Sequence, residues 1–129
     1  MNDRFKFRAW YYDKDDENDS DNNTMFYNAQ DTYDCLCGNP PLKASSFGDI
    51  IDDERWVVEQ CTGLKDKNGK LIYENDLIKI DDDVAVIEWS DYYARFMLES
   101  SEDIFDFETT YARDCEIIGN IHTENINDM

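Results

Sequence analysis

The sequence is short of nearly everything that builds an active site. In 129 residues it has one histidine, two prolines and five glycines. Attack by Ser or Cys needs a neighbouring proton acceptor, and the lone His122 follows the last apolar segment with no partner motif around it. Gly38, Gly48, Gly63, Gly69 and Gly119 are scattered, so no glycine-rich phosphate cradle exists. Paired carboxylates carry no information where acidic residues are this dense. No stretch approaches the roughly 18 apolar residues of a membrane span. The opening Met1-Asn2-Asp3-Arg4-Phe5 has no apolar signal core, so a cytoplasmic location is expected. Positive charge is scarce too. Twelve Lys and Arg face 31 Asp and Glu, a net charge of −19. Phosphate and anionic-lipid contacts both need basic residues, so neither direct nucleic-acid binding nor membrane-surface binding is expected.

Cysteine is limited to Cys35, Cys37, Cys61 and Cys115. In a reducing compartment these are thiols. Zinc sites use pairs with two to four intervening residues, whereas Cys35-Leu36-Cys37 has a single one, and Cys61 and Cys115 stand alone. Cys61 and Cys115 therefore read as small buried hydrophobes. No metal and no cofactor is expected.

What the chain does have is core material. Apolar residues make up 41% and aromatics 14%, which is too much for disorder throughout, and the length suits a single domain over residues 1–129. Charge is uneven along it. Counting Asp and Glu against Lys and Arg, residues 61–80 come to +1, with Lys65, Lys67, Lys70 and Lys79 the basic groups there, while residues 81–129 come to −12.

Short strands dominate the local pattern. Residues 4–11 alternate polar and apolar, predicting a strand that buries Phe5, Phe7, Ala9 and Tyr11 on one face. Residues 13–24 hold no apolar side chain and read as an acidic loop. Met25-Phe26-Tyr27 has strand composition, Cys37–Pro41 is a turn or loop, and residues 46–53 fit a short helical turn capped by Ser46 or a loop. From Trp56 onward, strands at 56–60, 71–73, 77–80, 84–89, 92–98 and 115–121 alternate with polar turns. Asn68-Gly69 predicts a tight type I′ hairpin turn. Residues 99–114 stay open between element types, and residues 122–129 read as a polar tail. The fold class is mainly β, an antiparallel meander curling into a small barrel with core at about 56–121, an N-terminal strand extension, long acidic loops and little helix.

Three segments carry a family resemblance. Phe7-Arg8-Ala9-Trp10, the run from Gln60 through Thr62-Gly63-Leu64-Lys65-Asp66 and Tyr73-Glu74-Asn75-Asp76 to Ile80, and Glu116–Ile121 resemble, in order and spacing, the YopX family of bacteriophage and prophage proteins. Asn75 stands where glycine is expected, the 13–24 loop is elongated, and the tail after His122 lacks an expected Asn-Pro. Asn still permits a left-handed conformation, so the fold is unaffected. The resemblance implies a small barrel related to Src-homology-3-like folds, and a phage or prophage of low-GC Gram-positive bacteria as source, hence the cytoplasm of a bacterial host. It implies no activity and no site residues, and the shared central run reads as a fold signature.

Two features invite a ligand. Asp13, Asp15, Glu17, Asp19 and Asp21 occupy alternate positions of a twelve-residue loop, as calcium ligands do in an EF-hand, but Asn18 replaces the required glycine and Thr24 the bidentate glutamate. The loop reads as solvated. The second feature is the acidic C-terminal third. Asp81, Asp82, Asp83, Glu88, Asp91, Glu99, Glu102, Asp103, Asp106, Glu108, Asp114 and Glu116 form a candidate partner-binding face, with Tyr92, Tyr93, Phe105, Phe107 and Tyr111 as candidate anchors or core. The expected function is non-enzymatic: an acidic nucleic-acid mimic that blocks a basic host protein, a nucleic-acid-acting or defence enzyme, in the manner of anti-CRISPR or anti-restriction inhibitors. The alternative is a self-associating homo-oligomeric phage module whose acidity serves solubility.

Overall fold

The computed structural model describes residues 5–12, 15, 24–30, 47–101 and 103–122. The expectations for most of the acidic loop, for Cys35, Cys37 and the Cys37–Pro41 turn, for Glu102 and for the tail from residue 123 lie outside the described residues. The elements are β1 (Phe7–Tyr11), β2 (Thr24–Tyr27), α1 (Phe47–Ile51), β3 (Trp56–Lys65), β4 (Leu71–Tyr73), β5 (Asp76–Ile80), β6 (Asp83–Ser90), β7 (Arg95–Ser100), β8 (Ile104–Asp106), α2 (Thr109–Asp114) and β9 (Glu116–Asn120). The protein is mainly β, and its described residues form two antiparallel sheets and two short helices. It divides into two compact units at the Gln60–Cys61 bond, within β3.

In the first unit β1 is central, pairing antiparallel with β2 on one side and residues 56–60 of β3 on the other. Ala9, Tyr11, Phe26, Ala29, Ile50 and Trp56 form its core. Trp56 joins it through tilted ring contacts with Tyr11 at 4.7 Å and Phe26 at 5.5 Å. The helical turn expected at 46–53 is α1, which buries Ile50 completely.

One expectation fails here. The alternation of β1 predicts one wet face, yet Arg8 and Trp10 are buried alongside Ala9 and Tyr11, and Phe5 lies outside the strand, 49% exposed. A central strand is covered on both faces, and the charge of Arg8 is neutralised across the ladder. Its register partner Glu59 is also buried, and the Arg8 Nε donates to Glu59 Oε1 at 2.8 Å. Composition cannot reveal such a pair, because the partners lie 51 residues apart.

The second unit is a five-stranded sheet in the order β8-β7-β6-β5-β9 that curls into a half-barrel, as a small β-barrel requires. Ile78, Ala85, Ile87 and Leu98 point to its inside, where Ile72 of β4, Ala112 of α2 and Cys115 complete the core. Cys61 and Cys115 are buried thiols. Burial, then the nearby Asp66 charge, pushes the Cys115 thiol up to about 11, so it stays protonated at neutral pH.

The hairpin between β3 and β4 closes differently from the expected type I′ turn. Only Gly69 has positive φ, at 82°, and Asn68 does not. The Gly69 N–H donates to the Asp66 carbonyl at 3.0 Å, and the Asp66 N–H donates to the Lys70 carbonyl at 2.8 Å, a type I turn followed by a left-handed glycine. The Asp66 side chain selects this form. Its Oδ1 accepts the Asn68 and Lys70 N–H groups, both at 2.9 Å, and its Oδ2 accepts the Ile117 N–H of β9 at 3.1 Å. Burial alone would raise the Asp66 pKa, but the donors from Ile117, Lys70 and Asn68, with the Lys70 charge, outweigh it and hold the carboxyl below its ordinary value.

Turns further along also differ in detail. Asn75, at φ 68°, adopts the left-handed conformation expected of it. Tyr92 and Tyr93 lie in the turn at 91–94 rather than in a strand, and β7 starts at Arg95. Ser90 explains the shift: its Oγ accepts the Tyr93 N–H at 3.1 Å, extending the turn. The open stretch 99–114 resolves into β8 and α2.

Two stability predictions follow from these contacts. Asp66→Ala strands three N–H donors and should cost about 2–4 kcal/mol in urea unfolding. The Asp66 contribution is present above the ordinary carboxylate pKa and is lost as pH falls through the depressed folded value, so the wild-type advantage over the variant should shrink below about pH 4. Breaking the buried pair by Arg8→Met or Glu59→Leu alone should cost about 3 kcal/mol or more, and the double substitution should cost less than either. Additive costs in that double-mutant cycle would contradict the pairing.

Candidate acidic interface

The sheet register decides where the acidic residues gather. Ile80 opposes Asp83, Lys79 opposes Glu116 and Ala85 opposes Ser100, so the β5–β6 turn, the β7–β8 turn and the start of β9 share one end of the sheet. That end carries exposed Asp81, Asp82, Asp83 and Asp103, with the half-buried Glu116. Asp91, Asp106 and Glu108 lie toward the opposite end, and Asp114 ends α2. The candidate carboxylates among the described residues therefore do not form one continuous face.

Partners thin them further. Asp106 Oδ1 pairs with Arg95 Nε at 3.3 Å, and Glu116 Oε2 with Lys67 Nζ at 3.7 Å. Asp91 accepts the Trp89 indole N–H at 2.9 Å. Asp81, Asp82, Asp83, Glu108 and Asp114 have no ion-pair partner among the described residues. Exposed pairs such as these contribute little.

Glu88 and Glu99 are a special case that the sequence did not signal. Val86 opposes Glu99 and Glu88 opposes Met97, which puts the two carboxyls diagonally on the same face of β6 and β7, the face turned away from the core. They flank a cleft of about 540 Å³ with an apolar floor of Val84, Val86 and Ile121 and a polar rim of Asn75, Asp82, Asp83, Ser100 and Ser101. The hydrogen bond that protonated Glu88 donates to the Glu99 carboxylate, then partial burial and the Glu99 charge, raises Glu88 from 4.5 to about 7. The clue is the two-residue strand period, usable only once the β6–β7 turn is correctly placed.

The aromatic candidates separate into two groups. Tyr92 is 88% exposed and Tyr93 56%, in edge contact at 4.8 Å, with the Arg95 guanidinium 5.1 Å from the Tyr93 ring. Phe105 is exposed on β8. Phe107 and Tyr111 pack against the core instead. Trp89, not among the candidates, is exposed and meets Phe96 edge-on at 5.1 Å. His122 is half-buried after β9, its N–H held by Asn120 Oδ1 at 2.9 Å.

Residues 6–126 match the family described as YopX protein. The chain belongs to the YopX family. No curated protein matches it. The three segments that carry the family resemblance fall on β1, on β3 through β5, and on β9. The second and third of these segments coincide with the frame that Asp66 and Asn75 organise, and the matched residues 6–126 also span the acidic turns. Among the described residues no helix is long and apolar enough to cross a membrane.

The raised Glu88 carries a pH prediction. Its proton stabilises the pair fully below its ordinary value of 4.5, and this contribution is lost as pH rises through about 7. Glu88→Gln should therefore raise the melting temperature relative to wild type at pH 8 and not at pH 5. Solvent screening limits the gain to less than about 1 kcal/mol. An equal effect at both pH values would contradict the shared proton.

Proposed function

We propose that this YopX protein is a phage-encoded, non-enzymatic binding protein acting in the cytoplasm of a bacterial host. In this reading its acidic surface stands in for nucleic-acid phosphates and occupies the basic site of a host nucleic-acid-acting or defence enzyme. The observation that carries it is the end of the sheet where Asp81, Asp82, Asp83 and Asp103 are exposed, none paired with a cation among the described residues. Repulsion among so many charges opposes compaction, so their concentration in turns at one end of the sheet supports a role in recognition. The frame brings the turns together, and long-range attraction then steers encounter with a basic groove.

Affinity capture from a host lysate across a salt series tests this reading. A tagged copy should retain a nucleic-acid-acting protein at low ionic strength and release it as salt rises. Reversing Asp81, Asp82 and Asp83 to Lys should abolish retention without unfolding the protein. Capture indifferent to those reversals, or a stable homo-oligomer with no captured partner, would overturn it.

A further inference from the structure

Among the described residues the five-stranded sheet ends at β8, and the ladder shows which of its backbone groups face outward. The Ser100 N–H donates to the Asp103 carbonyl at 2.9 Å, and the Phe107 N–H donates to the Phe96 carbonyl at 3.1 Å. Hydrogen-bonded pairs alternate in an antiparallel ladder, so Leu98 and Phe105 form the hydrogen-bonded pair between them. Ile104 and Asp106 then turn their N–H and C=O groups away from β7. Among the described residues the Ile104 N–H is held only by the exposed carboxylate of Asp103, at 2.9 Å. Such an edge is a template for another strand.

The side chains on this edge define what fits it. Ile104 is 58% exposed and Phe105 42%. Ile104 opposes Glu99, and Asp106 opposes Met97, so both point to the face that carries Glu88 and Glu99. Phe105 points to the other face, 6.4 Å from the Tyr111 ring. An added strand would place alternate residues beside Ile104 and beside Asp106, which already pairs with Arg95, with Glu99 one strand further in behind Ile104. Lys or Arg suits those positions, its aliphatic stem lying on Ile104. The residue between them would meet Phe105 and should be apolar. A second copy fits poorly, because it would bring another −19 to an acidic edge.

We propose that the open edge of β8 docks an extended segment of a partner protein, alternating basic and apolar residues, as a sixth strand of this sheet. This deepens the preceding reading and rests on its basic protein partner. Main-chain hydrogen bonds to Ile104 and Asp106 supply binding, the Asp103 carboxylate being displaced from the Ile104 N–H, and the two faces select the sequence.

The probe is a capped heptapeptide of alternating Lys and Val, compared with a capped peptide of the same composition with its four Lys and three Val in blocks. The alternating peptide should bind at least about tenfold more tightly, since equal charge leaves only strand pairing and side-chain alternation to separate them. It should slow amide exchange at Ile104 and Asp106 and leave Phe105, already paired with β7, unchanged. Ile104→Pro keeps the charge and the β7 ladder but removes an outward donor, and should erase the preference. Equal binding of the two peptides, unchanged exchange at Ile104 and Asp106, or a peptide-free dimer by light scattering that protects these amides would overturn the proposal. Equal peptide binding combined with capture that Asp81–Asp83 reversal abolishes would leave the mimicry reading standing alone. Peptide discrimination with capture indifferent to reversal would leave only the edge.

Discussion

The carboxylate of Asp66 is the constraint on which the second unit depends. It is buried, and it accepts three backbone N–H groups from two segments distant in sequence. Two of those bonds shape the β3–β4 hairpin, and the third fastens it to β9, where the Lys67 N–H also donates to the Cys115 carbonyl at 3.0 Å. A second aspartate repeats the device at the next turn. Asp76 Oδ2 accepts the Tyr73 N–H at 2.8 Å, while Asn75 donates to the Ile87 carbonyl and accepts from the Ile121 N–H. Two side chains and one left-handed Asn thus fix how β4, β5, β6 and β9 meet. A buried carboxylate is tolerated because backbone donors replace its lost hydration.

The remaining acidity follows a different logic. Within the first unit a buried charge occurs as a cross-strand pair, Arg8 with Glu59. In the second, most carboxylates after Ile80 stand in turns or at strand ends, where water and salt screen them. Glu88 and Glu99 are the exception, held close enough on neighbouring strands that one keeps its proton near neutrality. Frame and field are thereby separated: the residues that specify the fold are few and hydrogen-bonded, and those that set the field are many and exposed.

Much of the fold was legible because short apolar runs and polar turns leave a period of two. The meander from β5 through β7 and the strand at β9 were readable locally, and the turn at Asn75 through the family resemblance. What was not readable depended on distant partners. The alternation of β1 pointed to a wet face because Glu59 was out of view. The Asn68-Gly69 pair matched a type I′ turn, but Asp66 two residues earlier imposed another. Tyr92 and Tyr93 carry strand propensity, and Ser90 captured them into a turn. At the candidate interface the sequence located the acidic third of the chain, yet only the register divided it between the two ends of the sheet. The Glu88–Glu99 cleft and the open β8 edge were invisible until β6, β7 and β8 were aligned.

Competition for a captured partner tests the central claim most directly. If the acidic end of the sheet stands in for phosphates, a nucleic-acid duplex and this protein must exclude one another from the same site. Titrating a labelled duplex off the purified partner should then give mutually exclusive binding, with the apparent affinity for the duplex falling in proportion to the concentration of the acidic protein. A stable ternary complex of partner, duplex and acidic protein would contradict the account.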